Sequence, residues 1–528
     1  MTVPPPSRWT LAWVGPLTFL VHALGAQPAN VGMSCDDAIY VQLGRALAET
    51  GGFSVAGLPG APELAKYPPG WPVILAGFEV AGLPLRAVLL FNALVWAAVA
   101  QGVVSVLLPR LGASVGVRLA VGALLAVNTV TMQIAPTAMS EAPFTLALLG
   151  AVVLATGPLS RGRMVALAMV TASAGLLRSI GGPLALLAAA VAAVRGQRAA
   201  AVALATGWLV QAGIVRAVRA TISPPTGDSW TLLHYYAAYD EHTAFYTDPL
   251  AAGGYAEVAG RVVSVATTNT VLGLRSLSGL LIPGDYLGGE GPSMSNASVG
   301  AGLLALAAVG VLRVRALRPI GLLLATYIAI FVLWTWPFSV RFWLPIWPFL
   351  AVAAVMGLAE LGNVGRLLMP ALVAMAVIGN SFWPWYQSRS LIEHGLPPER
   401  VAPDPAVADW IRPGDIVLSN LAALHLGASL GVLALELEAL LPSERRLRLA
   451  LQLTDPRIAA PDLAEALTPG LDATLRSLPV GGHAWVVVTA GSARRMVPAI
   501  DVLVEGRRLA LRVSTPSVRV WEVLPTSM

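Results

Sequence analysis

Six ionisable side chains stand beside apolar stretches of this chain where hydrophobicity alone would not keep them: Asp36, Asp37, Lys66, Glu141, Arg178 and Arg341. Asp36 and Asp37 open an amphipathic pattern in which Ile39, Leu43, Ala46 and Leu47 recur at helical spacing on one face. Carboxylates at a helix start cap free N–H groups and suit the helix dipole. They equally suit a general base, with or without a bound cation, held just outside a bilayer. Two adjacent carboxylates point in different directions, so one can take a proton while the other caps or orients. Lys66 is the only lysine in the chain and precedes Tyr67-Pro68-Pro69-Gly70-Trp71-Pro72. It either snorkels to an interface or, with the prolines fixing the backbone, aims a compact charge at a phosphate. Trp71 would anchor the segment at headgroup level.

Glu141 lies in Met139-Ser140-Glu141-Ala142-Pro143-Phe144 and reads as a helix cap or as a second acidic site on the same side as Asp36. Arg178 and Arg341 fall at the opposite ends of their apolar runs from most other arginines. Ionisable groups so placed ask for a partner. A lipid-linked phosphate would serve, because guanidinium binds phosphate through two parallel hydrogen bonds. An ion pair with Glu141 or an aspartate would serve as well. His234, Tyr235 and His242, beside Asp240 and Glu241, are further candidates for touching a donor or acceptor, in a spacing that fits no standard metal motif. Cys35 is the single cysteine, which excludes an intramolecular disulfide and a thiolate cluster.

The elements that must position these groups follow from composition. The chain has 528 residues, 56% hydrophobic and 12% charged, against about 25% charged in ordinary soluble domains. That balance reads as a polytopic α-helical membrane protein. The net charge of +5 does not signal a nucleic-acid partner. The arginines cluster in short connections between apolar runs, as the positive-inside rule expects, and no basic-aromatic stretch tracks a nucleic acid. Apolar runs at 9–26, 84–108, 117–135, 142–157, 164–180, 182–195, 199–221, 298–313, 319–336, 342–359 and 367–384 predict about eleven spans, the first an uncleaved anchor. With Arg8 cytoplasmic, Arg110, Arg118, Arg161, Arg163, Arg195, Arg198, Arg313, Arg315, Arg318 and Arg366 share its side. The other side receives loop 33–76, the turn at 136–141, the long loop 223–296 and everything after 385. Within the long loop, 255–281 reads as a helix at the interface. From about residue 393 the composition becomes that of a soluble domain. Strands are expected at 415–419 and 484–488, a hairpin at 509–513 with 518–523, and helices at 422–441 and 462–478. The division is thus a membrane domain over 1–390 and a small extracytoplasmic α/β domain over 391–528.

In their order and shared sidedness, these residues resemble the membrane-embedded glycosyltransferases of the GT-C fold that use polyprenyl-phosphate sugars. Protein O-mannosyltransferases and the aminoarabinose transferases acting on lipid A are members. The resemblance covers residues 9–390. In those families an acidic pair follows the first span and its first carboxylate is catalytic, which falls on Asp36, with Asp37 in place of the usual Glu. The lysine and Pro-Pro segment is similar to Lys66-Tyr67-Pro68-Pro69-Gly70, with Tyr67 interposed before the prolines. Ser140-Glu141-Ala142-Pro143-Phe144 is similar to a second acidic site, and Arg341-Phe342 with Leu344-Pro345 resembles a late Arg-Tyr…Leu-Pro element.

The resemblance implies transfer of a sugar, with inversion, from a polyprenyl-phosphate donor to a hydroxyl of a glycan, lipid or protein at the outer face of the plasma (inner) membrane. Asp36, Asp37 and Glu141 would carry the acid–base chemistry, and Lys66, Arg178 and Arg341 would neutralise the leaving phosphate. Membrane lipids are the other partners, and no nucleic acid is. No cofactor is required; a divalent cation is compatible with the carboxylates. Two rival readings remain: a lipid or lipid-linked-sugar flippase, which would show inverted repeats and broken helices with mid-membrane polar groups, and a glycan ligase or polymerase working through the loop around His234 and His242.

Overall fold

A computed structural model describes residues 11–26, 36–55, 63, 66–156, 158–222, 254–281, 294–334, 340–381, 410–412, 415–419, 433–436, 471–472, 474–476, 478, 481–489, 509–514 and 518–524. Helices dominate, and each of the eleven predicted apolar runs contains one. In chain order they are α1 (Val14–Ala23), α2 (Asp36–Thr50), α3 (Gly70–Val80), α4 (Leu85–Arg110), α5 (Val115–Ala126), α6 (Thr129–Ile134), α7 (Glu141–Ala155), α8 (Arg161–Leu177) and α9 (Gly181–Val194). They continue with α10 (Arg198–Thr221), α11 (Tyr255–Ser278), α12 (Met294–Arg313), α13 (Arg318–Val332), α14 (Trp347–Ala359) and α15 (Asn363–Ser381). A 3₁₀ turn, Val340–Ile346, runs straight into α14. Among the described residues, four helical stretches are long and apolar enough to cross a membrane: Leu85–Arg110, Arg198–Thr221, Arg315–Val332 and Val340–Ala359. Several shorter apolar helices accompany them. With this composition, the chain is a polytopic membrane protein.

Three departures from the sequence pattern have physical causes. The run expected as one span over 117–135 breaks at Val127 and Asn128. Asn128 is the N-cap of α6: its side-chain oxygen accepts from Thr131 N at 3.0 Å, and its amide donates to Leu280 O at 2.5 Å. A cap bond offers the backbone an alternative to continuing the helix. The stretch 70–80, expected as the tail of a loop, is a helix of its own, started by Pro69 and Gly70. In the C-terminal part, 433–436 is strand β2 (Leu433–Glu436) and not part of a helix over 422–441; it pairs in parallel with the strand Ile416–Ser419, whose ladder satisfies its backbone.

The C-terminal strands β1 (Ile416–Ser419), β2, β3 (Ala484–Thr489), β4 (Leu509–Ser514) and β5 (Val518–Val523) form one sheet in the order β2-β1-β3-β5-β4. The β1, β2 and β3 ladders are parallel; β5 pairs antiparallel with both β3 and β4. Val417, Leu418, Val486 and Val487 are buried, which explains their continuous apolar runs. Asp415 pins the edge by accepting from Trp485 Nε1 at 2.8 Å and from His483 N at 2.8 Å.

Candidate active site

Each candidate cation or acid that the structure describes sits at the end of a helix. Asp36 is the first residue of α2, Glu141 the first of α7 and Arg178 the C-cap of α8. Lys66 and Tyr67 form a bend ahead of α3, and Arg341 lies in the 3₁₀ turn before α14. Helix ends leave unsatisfied backbone groups and room for side chains to converge, and here they do.

The first group forms around Asp36. Tyr67 Oη donates to Asp36 Oδ1 at 2.8 Å, and Arg341 Nη2 is bonded to Asp36 Oδ2. Lys66 acts on the same carboxylate electrostatically and lies 5.6 Å from the Tyr67 ring centre. Burial would push the Asp36 carboxyl up, but Arg341, Lys66 and the Tyr67 hydroxyl outweigh it and hold the group below the usual carboxylate range. Asp37 turns the other way. It is fully buried, and its Oδ1 accepts from Ala38 N at 3.0 Å, while Asp36 faces the cations.

The second group is the pair Glu141–Arg178, at 2.5 Å. Of the two readings open for Arg178, an ion pair or a phosphate site, the structure fills the ion pair. Glu141 is buried, and its Oε2 has no hydrogen-bond partner among the described residues. Arg341 lies within electrostatic reach of Glu141 as well as Asp36, which makes the two groups neighbours. Segments up to 305 residues apart in the chain therefore meet here.

Local sequence explains the convergence. The turn before Glu141 is held by side chains: Asn92 donates to Thr137 O at 2.6 Å and to Met139 O at 2.8 Å. Trp71 Nε1 donates to the intervening Ala138 O at 2.8 Å. Trp71 belongs to the Lys66 segment, so one aromatic ring fixes both halves of the site. Gly70 allows the close approach this needs: a Cβ there would stand 2.7 Å from Leu176 O, two residues before Arg178. The Arg341 turn is clamped from two helices. Tyr327 of α13 donates to Phe342 O at 2.8 Å, and Trp343 Nε1 donates to Gly273 O and Ser276 Oγ of α11 at 3.1 and 3.0 Å.

Sidedness is visible too. Arg110 and Arg163 donate to Val153 O and Leu154 O at the far end of α7 from Glu141. A 15-residue helix separates them, about 22 Å at 1.5 Å per residue. An open apolar groove of about 500 Å³ lies along α4, α7 and α8, lined by Val95, Val106, Leu146 and Val170 among others. Its wall includes Pro143 and Leu177, which stand two residues after Glu141 and one before Arg178.

Tyr67, Tyr327 and Asn92 were not singled out by sequence reasoning. Tyr67 had a signal, an aromatic hydroxyl locked by two following prolines. Asn92 and Tyr327 are polar groups inside apolar runs, which mark a needed partner without saying which. His234, Tyr235 and His242 lie outside the described residues. Among the described residues no three of His, Cys, Asp or Glu gather into a group that could hold a metal ion.

No protein-family model matches the sequence, and no curated protein matches it. Solved structures do. ArnT from Cupriavidus metallidurans bound to undecaprenyl phosphate aligns over 97% of this chain and 98% of its own, at 15% identity and a TM-score of 0.40. The same protein in the apo state aligns over 97% of both chains at 12% identity and a TM-score of 0.38. The arabinofuranosyltransferase AftD from Mycobacteria aligns with 99% of this chain at 12% identity and a TM-score of 0.38; this chain spans 42% of AftD. Likenesses this loose carry no functional argument, and the chemistry is read from the residues alone.

Proposed function

We propose that the chain is a membrane-embedded glycosyltransferase that moves a sugar from a polyprenyl-phosphate donor to an acceptor hydroxyl, with inversion. The observation that carries this reading is the meeting of Asp36, Tyr67, Lys66 and Arg341 beside Glu141 and Arg178. An acceptor hydroxyl is a poor nucleophile until a base takes its proton, and Asp36 is the carboxylate placed to do so. The leaving group is a phosphate, and cations aimed at the charge growing on it supply the largest stabilising term open to such a site. Lys66 and Arg341 take that role. Arg178, already paired with Glu141, holds the wall of the site instead. The apolar groove along α4, α7 and α8 offers an isoprenoid tail a course that ends beside Glu141 and Arg178.

In this reading the eleven apolar runs cross the plasma membrane with the N-terminus cytoplasmic. The sugar-transfer cluster and the sheet of the C-terminal domain (391–528) then stand outside. Full-length protein purified in detergent and given polyprenyl-phosphate sugars should form a glycoside, and Asp36→Asn should not. A wild-type rate in Asp36→Asn removes the assigned base. Lipid and glycan mass spectrometry of a deletion strain would name the sugar and acceptor.

The flippase reading gains one observation, the break between α5 and α6 beside buried polar groups. Those groups satisfy one another: His22 Nε2 meets Thr131 Oγ1 at 2.9 Å, and Asn128 reaches Leu280 O. Gln133 Nε2 of α6, also buried, has no hydrogen-bond partner among the described residues. Movement of lipid across vesicles without glycoside formation would favour that reading.

A further inference from the structure

On the transferase reading, on which this inference rests, the Arg341 charge must leave Asp36 before the carboxylate is a strong enough base. Both oxygens of Asp36 are engaged, Oδ1 by the Tyr67 hydroxyl at 2.8 Å and Oδ2 by Arg341. Lone pairs remain on both oxygens and the side chain is 23% exposed, but the Arg341 charge on Oδ2 weakens the carboxylate as a base. The two partners differ in freedom. The Tyr67 ring is buried edge-on to Tyr40, with ring centres 5.0 Å apart, and Pro68 and Pro69 fix the backbone that follows it. Arg341 is partly exposed on a long side chain and faces Glu141 as well.

We propose that Tyr67 is the positioning residue that fixes Asp36 through Oδ1, and that Arg341 is a latch on Oδ2 which the donor phosphate draws away. The base is then open only when the donor is present. The charges around it fit this exchange. Asp36, Asp37 and Glu141 are balanced by Lys66, Arg178 and Arg341, while Tyr40, Tyr67 and Tyr327 add no charge. A phosphate arriving in a balanced cluster leaves a surplus of negative charge, which favours a proton on a neighbouring carboxylate. Arg341 gains a bidentate partner for the bond to Asp36 that it gives up. Oδ2 then takes the proton of the acceptor hydroxyl. The acceptor oxygen bonds to the anomeric carbon as the bond from that carbon to the phosphate oxygen breaks. The electron pair leaves with the phosphate, held by Arg341 and Lys66.

The test follows the Asp36 carboxyl band by infrared difference spectroscopy as pH is lowered, in full-length protein with and without undecaprenyl phosphate, assigned with Asp36→Asn. Undecaprenyl phosphate should move the Asp36 midpoint to higher pH. In Arg341→Gln the midpoint should start high and move less on adding the lipid. Equal movement in wild type and Arg341→Gln would mean that the phosphate acts by its charge alone, and the latch is overturned. Bound lipid with an unmoved midpoint overturns it too. Tyr67→Phe should raise the midpoint while keeping lipid binding, and an unchanged midpoint removes its positioning role. If wild-type protein does not bind undecaprenyl phosphate at all, the transferase reading fails first and the latch with it.

Discussion

Two carboxylate–arginine pairs stand side by side in this protein, and they are built for different ends. In Asp36–Arg341 the side chains keep 23% and 22% of their surface exposed; in Glu141–Arg178 the figures are 1% and 13%. The partly exposed pair can trade partners with a ligand, because water and a headgroup can replace either side of it. The buried pair has no such exchange. Removing one member strands the other charge in a poor solvent, which costs several kcal/mol. On the transferase reading we assign chemistry to Asp36 and architecture to Glu141, although both carboxylates begin a helix and both face an arginine.

The sharpest way to break this contrast is to neutralise each carboxylate in turn. Asp36→Asn should lower glycosyl transfer by about 10²–10⁴-fold, the usual worth of a general base, while thermal stability in detergent changes by about 1 kcal/mol or less. Glu141→Gln should do the reverse, destabilising the protein by about 3–5 kcal/mol and showing as a collapse of the melting temperature. An equal stability loss in both variants would erase the distinction. The double change Glu141→Leu with Arg178→Met should recover most of the lost stability, since an apolar pair of similar volume commonly replaces a buried ion pair at little cost.

Smaller changes refine the boundary between the pairs. Asn92→Ala frees the carbonyls of Thr137 and Met139 and should cost about 1–3 kcal/mol, with hydrogen exchange rising in the turn before Glu141 and little change near Asp36. The smallest effect is expected in the C-terminal sheet. There burial acts to raise the Glu522 carboxyl, but bonds from Arg512 and His483 outweigh it and hold the group below its ordinary value. A carboxyl depressed in the folded state stabilises fully above its unfolded value, and that contribution is lost as pH falls through the folded one. Hydrogen exchange over 509–523, corrected for its intrinsic pH dependence, should therefore rise only in acid and stay flat near neutrality.

Much of the framework was written in the sequence. Long apolar runs leave a chain few choices but helices, because every backbone group in a bilayer must be bonded internally. Asp36, Lys66, Glu141, Arg178 and Arg341 stood out because charge is costly there. The strands at 416–419, 484–489 and 518–523 followed from Val- and Ile-rich runs, and 509–514 from its place as the other arm of a hairpin with 518–523. Strand β2, by contrast, was hidden: four residues of Leu-Ala-Leu-Glu suit either periodicity, and only the neighbouring strand β1 decides between them.

What the sequence by itself determined is which side chains must find a partner and on which side of the bundle they end. Only the tertiary structure decided who pairs with whom. Arg341 and Arg178 were equivalent along the chain, each an arginine at the wrong end of an apolar run. Packing gave one to a carboxylate at the rim and buried the other with Glu141. Tyr67 acquired its role the same way, through a hydrogen bond to a residue 31 positions distant. Periodicity and hydrophobicity are local quantities and survive in the linear text. Pairing depends on where helix ends meet in space, and small contacts such as Gly70 against Leu176 and Trp71 against Ala138 set that.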